Sequence, residues 1–186
     1  MRRTPVEVTG ITVCPPYQGF MLILHELEGI RWLPIFIGQA EAQAISYIMK
    51  GARLMRPLTF DLIFSLLDAV GARVEEVVVT ELRDQTFFAE IILRMASGGV
   101  RHVDARPSDA IALALRMRAP IFVVEKVMAD ASLSEDQTLD VHQGIDQLRT
   151  LNQQLQEAVD AEAYEEAAKI RDQIRALEVK SVAGSK

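Results

Sequence analysis

Four side chains capable of polar chemistry crowd one short stretch, Val103-Asp104-Ala105-Arg106-Pro107-Ser108-Asp109-Ala110-Ile111-Ala112-Leu113-Ala114-Leu115. The alternation before Pro107 predicts a strand and the apolar run after it a helix, so the polar residues mark a strand-to-helix junction. A helix N-terminus carries unpaired N–H groups and a partial positive charge, and it attracts carboxylates and phosphates alike. On a strand over 101–106, His102, Asp104 and Arg106 share one face while Val103 and Ala105 take the other. A purely structural use of the same residues is also open: Asp104 and Arg106 as a same-face ion pair, Pro107 stiffening the turn, and Ser108 or Asp109 capping the helix.

The elements that must position these residues repeat. At an offset of 68 residues, Val6-Glu7-Val8 falls on Val74-Glu75-Glu76, Phe20 to Leu24 on Phe88 to Ile92, and Glu41-Ala42-Gln43-Ala44-Ile45 on Asp109-Ala110-Ile111-Ala112-Leu113. Each copy reads as three strands and a helix: 6–13, 20–26, 31–37 and 40–50, then 73–82, 86–95, 100–105 and 108–117. Between the copies Pro57-Leu58-Thr59-Phe60-Asp61 opens a further helix with Thr59 as its N-cap, ended by Gly71, and residues 121–124 add a short strand. The links are too short for parallel crossovers, which predicts mostly antiparallel pairing with helices packed on one sheet face, an α+β fold. In the first copy Phe36 and Gly38 stand where the second has Asp104 and Arg106, so the charged pair belongs to the second copy alone.

The pattern changes beyond Asp130. Residues 131–147 read as a polar linker, and 148–182 as a helical hairpin with one stripe of Leu148, Leu151, Leu155, Ala158 and Val159 and another of Tyr164, Ala167, Ile170, Ile174 and Leu177. A hairpin this small buries little surface alone and calls for the core, a partner or a second copy.

Composition excludes several classes. The net charge is −6, from 20 Lys+Arg against 26 Asp+Glu, and no basic footprint for duplex nucleic acid stands out, although Arg53, Arg56, Arg106, Arg116 and Arg118 could form a local patch. No apolar run approaches the roughly 20 residues of a membrane span, and Glu7 and Thr9 break any signal-peptide core after Arg2-Arg3, so a cytoplasmic location is expected. The single cysteine, Cys14, has no internal disulfide partner and reads as a small buried residue at a strand end. No Gly-rich phosphate loop, Ser-His-Asp order or Cys/His zinc spacing supports an ATPase, triad hydrolase or zinc enzyme.

Four segments in order, Leu33-Pro34-Ile35-Phe36-Ile37-Gly38-Gln39-Ala40-Glu41-Ala42, Arg56-Pro57-Leu58-Thr59-Phe60-Asp61-Leu62, Leu82-Arg83-Asp84-Gln85-Thr86-Phe87-Phe88-Ala89 and Asp104 to Leu115, make residues 1–130 resemble the bifunctional nuclease domain family. Leu155-Gln156-Glu157-Ala158-Val159 and Tyr164-Glu165-Glu166-Ala167-Ala168-Lys169-Ile170-Arg171-Asp172-Gln173-Ile174 make the tail resemble a UVR domain. The first resemblance implies duplicated β-rich units in a barrel-like sheet and cleavage of both DNA and RNA. The second implies protein–protein contact, and a homodimer is expected.

Phosphodiester hydrolysis needs activated water and stabilisation of charge on the phosphate, and carboxylates holding Mg²⁺ or Mn²⁺ supply both. The carboxylates in matching motifs are Asp104, Asp109, Asp61 and Glu41, with Asp104 and Asp109 expected to hold the metal, Arg106 to contact phosphate bidentately and Ser108 to orient it. Glu41 and Asp109, each near the start of its helix, also suit the helix dipoles. Phe60 departs from the family, which often has a histidine there, and leaves His25 and His102 as the core's histidines. The rival expectation is a regulatory scaffold or anion sensor without turnover.

Overall fold

The computed structural model describes residues 2–14, 19–52, 55–134, 150–151, 153–161 and 163–183, with the side chains of Cys14 and of residues 175–183 left outside the description. Arg53 and the whole 135–149 segment, which holds most of the expected linker and the start of the expected hairpin, also lie outside the described residues.

Eleven elements build the core among the described residues. The first meander is β1 (Arg3–Cys14), β2 (Gly19–Glu26) and β3 (Trp32–Ile37), followed by α1 (Gln39–Met49) and α2 (Thr59–Ala69). The second is β4 (Ala72–Arg83), β5 (Thr86–Met95) and β6 (Val100–Ala105), followed by α3 (Pro107–Met117), β7 (Ile121–Val124) and α4 (Glu125–Ala131). The expected duplication is thus realised element by element.

The seven strands form one sheet in the order β3-β2-β1-β7-β4-β5-β6. Most pairings described are antiparallel, but β7 runs parallel to β4 and antiparallel to β1, so β1 and β4 run in opposite senses. The two meanders therefore flank β7 head to tail, with one copy on each side. Residues 77–79, three valines in a row, are fully buried because β4 is covered on both sides, whereas β6 at the margin is exposed over nearly its whole length. The tight β4–β5 turn is Asp84-Gln85, both with positive φ, as the hairpin reading of Asp84 expects.

Helix α3 is the centre of the helical layer. Ala110, Ile111, Ala112, Leu113 and Ala114 are all buried, and the helix packs on β4 and β5 on one side and on α1 and α2 on the other. A helix buried all round needs small residues where neighbours approach, which the alternating alanines provide. It starts at Pro107, whose missing N–H costs nothing in the first turn, and ends at Arg118 in the left-handed region with φ 56°.

Two expectations are corrected and one element is added. Leu58, not Thr59, is the N-cap of α2, and it is Asp61 that accepts the Leu58 N–H at 2.9 Å. No side chain caps α3, so neither Ser108 nor Asp109 has that role. Residues 125–131 form the short helix α4, which at seven residues carries too little periodicity to read from sequence.

In the C-terminal unit residues 153–160 form one helix, α5, and Tyr164–Ala183 form α6. Ala158, Ala167, Ile170 and Ile174 are buried together, with Leu151, Leu155 and Ala163 packed against them. Val159 and Tyr164, placed on the stripes by sequence, are instead exposed. Leu148 and the Leu177 side chain lie outside the described residues.

Candidate functional site at the start of helix α3

Arg106 is the N-cap residue of α3, in extended conformation, and its guanidinium turns back along the first turn. Nε donates to Asp109 Oδ2 at 2.7 Å and Nη2 to Asp109 Oδ1 at 3.1 Å, a two-point fork. The remaining terminal nitrogen, Nη1, lies 3.0 Å from Glu41 Oε1 in the first turn of α1. Glu41 and Asp109 are repeat equivalents, so one arginine present in only one copy joins the matching carboxylates of both. The hydrogen bonds donated to Asp109 lead the causes that raise the Arg106 pKa further above its ordinary value, and the side chain stays cationic. It is nevertheless 66% exposed, open to solvent on the side away from the carboxylates.

Gly38, the repeat equivalent of Arg106, explains how Glu41 reaches this position. A Cβ at Gly38 would collide with Glu41 Oε2, although the backbone there suits any residue. The missing side chain leaves the space that the Glu41 carboxylate occupies.

The other expected residues are distributed around this cluster. Asp104 is exposed on β6, directly across from Glu90 of β5, and no hydrogen bond or ion pair is described for its carboxylate. Glu90 Oε2 instead accepts from His102 Nδ1 at 3.0 Å. The Asp104–Arg106 ion pair is therefore absent among the described contacts, because Arg106 is turned to Asp109 and Glu41. Ser108 is 7% exposed and faces the packed interior. Asp61 stands apart: Oδ2 accepts the Leu58 N–H and Oδ1 accepts Arg116 Nε at 2.6 Å, while the Arg116 guanidinium lies over the Phe64 ring at 5.1 Å. The Leu58 N–H first, and Arg116 second, hold the Asp61 carboxyl below its usual range. With Oδ2 on the start of α2 and Oδ1 on Arg116 in the last turn of α3, Asp61 fastens α2 to α3.

The donor set bears on the expected metal. Both Asp109 oxygens are held by Arg106, and among the described residues no group of three or more His, Cys, Asp or Glu side chains converges. Mg²⁺ commonly takes only one or two carboxylates and completes its shell with water and substrate phosphate. Asp104 fits that use, and Asp109 in this arrangement does not. The link from Glu41 through Arg106 to Asp109 escaped sequence reasoning, although the offset of 68 that aligns both carboxylates was its available signal.

The model of the Bifunctional nuclease domain matches residues 22–136, and that of the UvrB/uvrC motif matches residues 146–180. An uncharacterized protein of Mycobacterium tuberculosis is 44% identical over 128 residues, covering 69% of this chain and 76% of that protein. Bifunctional nuclease 1 of Arabidopsis thaliana is 26% identical over 183 residues, 86% of this chain and 56% of the relative. Bifunctional nuclease 2 of the same plant is 27% identical over 188 residues, 89% of this chain and 57% of the relative. With four motifs in register, a duplicated α+β core and a domain match over most of its length, the chain belongs to the bifunctional nuclease domain family.

Proposed function

We propose that this chain is a nuclease, as its plant relatives are named, and that it hydrolyses phosphodiester bonds of DNA and RNA at the start of α3. The observation that carries the proposal is the Arg106 fork: an exposed, permanently charged guanidinium held in fixed orientation by Asp109. A substrate phosphate binding at Nη1 would compete there with Glu41. Once displaced, the Glu41 carboxylate stands beside the phosphate and can accept a proton from an attacking water. Asp109 keeps the guanidinium in place through that exchange. A divalent ion held by Asp104 would supply charge neutralisation at the phosphate. The UvrB/uvrC hairpin is proposed to dock a protein partner, and the chain to act as a homodimer.

A second reading, anion binding without turnover, rests on the same exposed guanidinium, which can hold an anion without any further group. A cleavage assay separates the two. Labelled single-stranded RNA and single- and double-stranded DNA are incubated with Mg²⁺, Mn²⁺ or chelator, using wild type, Arg106→Gln and Asp104→Asn prepared identically. Ion-dependent cutting lost in both variants is the expected result. Cutting that survives in both removes the site, and binding without cutting in any condition selects the sensor.

A further inference from the structure

Among the described helices of the core, α2 is the least covered. Six of its residues are large hydrophobics, Phe60, Leu62, Ile63, Phe64, Leu66 and Leu67, yet none of its side chains is fully buried. Leu58, Leu62, Leu66 and Val70, spaced four apart, form a ridge with exposures of 40, 53, 58 and 64%. Met49 and the fully exposed Met55 lie on neighbouring chain. Contiguous exposed apolar surface on this scale marks a surface built to be covered. Beside the N-terminal half of the ridge runs a groove of about 730 Å³, walled by Tyr47 and Ile48 of α1, Phe60 and Phe64 of α2, and Leu115 and Arg118 at the end of α3.

We infer that α2 and this groove form the interface between two copies of the chain, packed about a two-fold axis near the middle of α2. This rests on the homodimer proposed above and names its surface. An apolar ridge and a partly apolar groove lying side by side on one face are self-complementary: a two-fold rotation seats each ridge against the other groove. The charges agree with that rotation. The α2 segment 59–69 carries Asp61 and Asp68 and neither Lys nor Arg, while the end of α3 carries Arg116 and Arg118. Asp61 and Arg116 are already paired within the chain. Asp68 and Arg118, both exposed, have no described partner. The end of α3 lies along the N-terminal half of α2, where the groove is. Antiparallel packing brings the C-terminal half of the second α2, and hence its Asp68, alongside Arg118. A nucleic acid is the poorer occupant, since its phosphates would meet aliphatic side chains and aspartates. A stable interface buries roughly 800 Å² per partner, which a three-turn helix face and its adjoining groove can supply.

The test is sedimentation velocity of the full chain over a concentration series. Wild type is expected to be dimeric, and Leu62→Glu and Leu66→Glu to raise the dissociation constant at least about thirtyfold, with circular dichroism checking that each still folds. Asp68→Arg and Arg118→Asp are each expected to weaken the dimer by up to about fivefold, and the double variant to recover it; Asp tolerates the left-handed backbone at 118. As a variant independent of added charge, Leu66→Cys in a Cys14→Ser chain is expected to give a covalent dimer with a short bis-maleimide. A monomeric wild type overturns the homodimer itself. A dimer that ignores Leu62→Glu and Leu66→Glu and yields no cross-link keeps the homodimer and overturns the α2 interface.

Discussion

At the scale of single residues, Arg106 is valued for its shape more than for its charge. It makes a fork with Asp109 and reaches Glu41 with its remaining nitrogen, and an ammonium can reproduce neither arrangement. Arg106→Lys should therefore lower kcat/KM on single-stranded substrate by about 10- to 100-fold, the worth of a charge-assisted hydrogen bond lost in the transition state. The same variant should leave the thermal midpoint within about 2 °C, because an ion pair this exposed contributes little to stability. Activity equal to wild type would show that the fork is not used on the phosphate. A large drop in melting temperature would mean that the residue is structural.

At the scale of elements, most of the architecture was legible because it is written in periodicities that survive tertiary context. Thr86–Met95 and Val100–Ala105 have the boundaries that alternation predicts, and the repeat offset anticipates that the two meanders match. Chain-local signals do not specify where β7 inserts. Its four residues, Ile121–Val124, join β1 on one side and β4 on the other, a choice made by burial between the two copies. The site was legible as a set of residue types but not as a set of partners. Side-chain pairing at Arg106 depends on α1 lying against α3, a packing that no residue of α3 announces. The cap of α2 was missed for a different reason: Thr59 has the right chemistry, but Asp61 two residues later takes the same duty by reaching back to the Leu58 N–H. The β4–β5 turn yields a prediction at this scale. Gln85 holds φ 61° after Asp84 at 48°, a geometry in which glycine is preferred at the second position. Gln85→Gly should stabilise the core by about 0.5–1 kcal/mol in urea denaturation, with an unchanged m-value, and a destabilisation would show that Gln85 makes a contact worth more than its backbone strain.

At the scale of the whole molecule, charge governs both approach of substrate and tolerance of acid. A chain of net charge −6 attracts no polyanion from a distance, so binding to nucleic acid should depend on local contacts. If Arg106 is the main phosphate contact, the logarithm of the binding constant should fall with the logarithm of salt at a slope near −1, measured by fluorescence anisotropy with a labelled oligonucleotide; a slope of about −5 would reveal a basic surface elsewhere. Acid acts on a separate network at the far side of the chain's first meander. Arg31 donates to both oxygens of Glu26, at 2.8 and 2.7 Å, and to Glu125 Oε1 at 2.8 Å, while the buried Thr4 hydroxyl donates to Glu125 Oε2 at 2.5 Å. The Arg31 hydrogen bonds, followed by that of Thr4, lower the Glu125 carboxyl to about 2, and Arg31 lowers Glu26 as well. Both folded values lie below the ordinary carboxylate value of 4.5, so the unfolded chain takes up protons first as pH falls. The stability from this network is fully present above about pH 4.5 and is lost as pH drops towards 2. Thermal midpoints should accordingly stay nearly level from pH 7 to pH 5 as far as this network is concerned and decline below it. In Glu125→Gln the midpoint at pH 7 should be lower than in wild type, and the gap should close between pH 4.5 and 2, since the neutral amide resembles the protonated acid that wild type becomes. A gap that persists unchanged at pH 2 would place the contribution of Glu125 in packing and not in its charge.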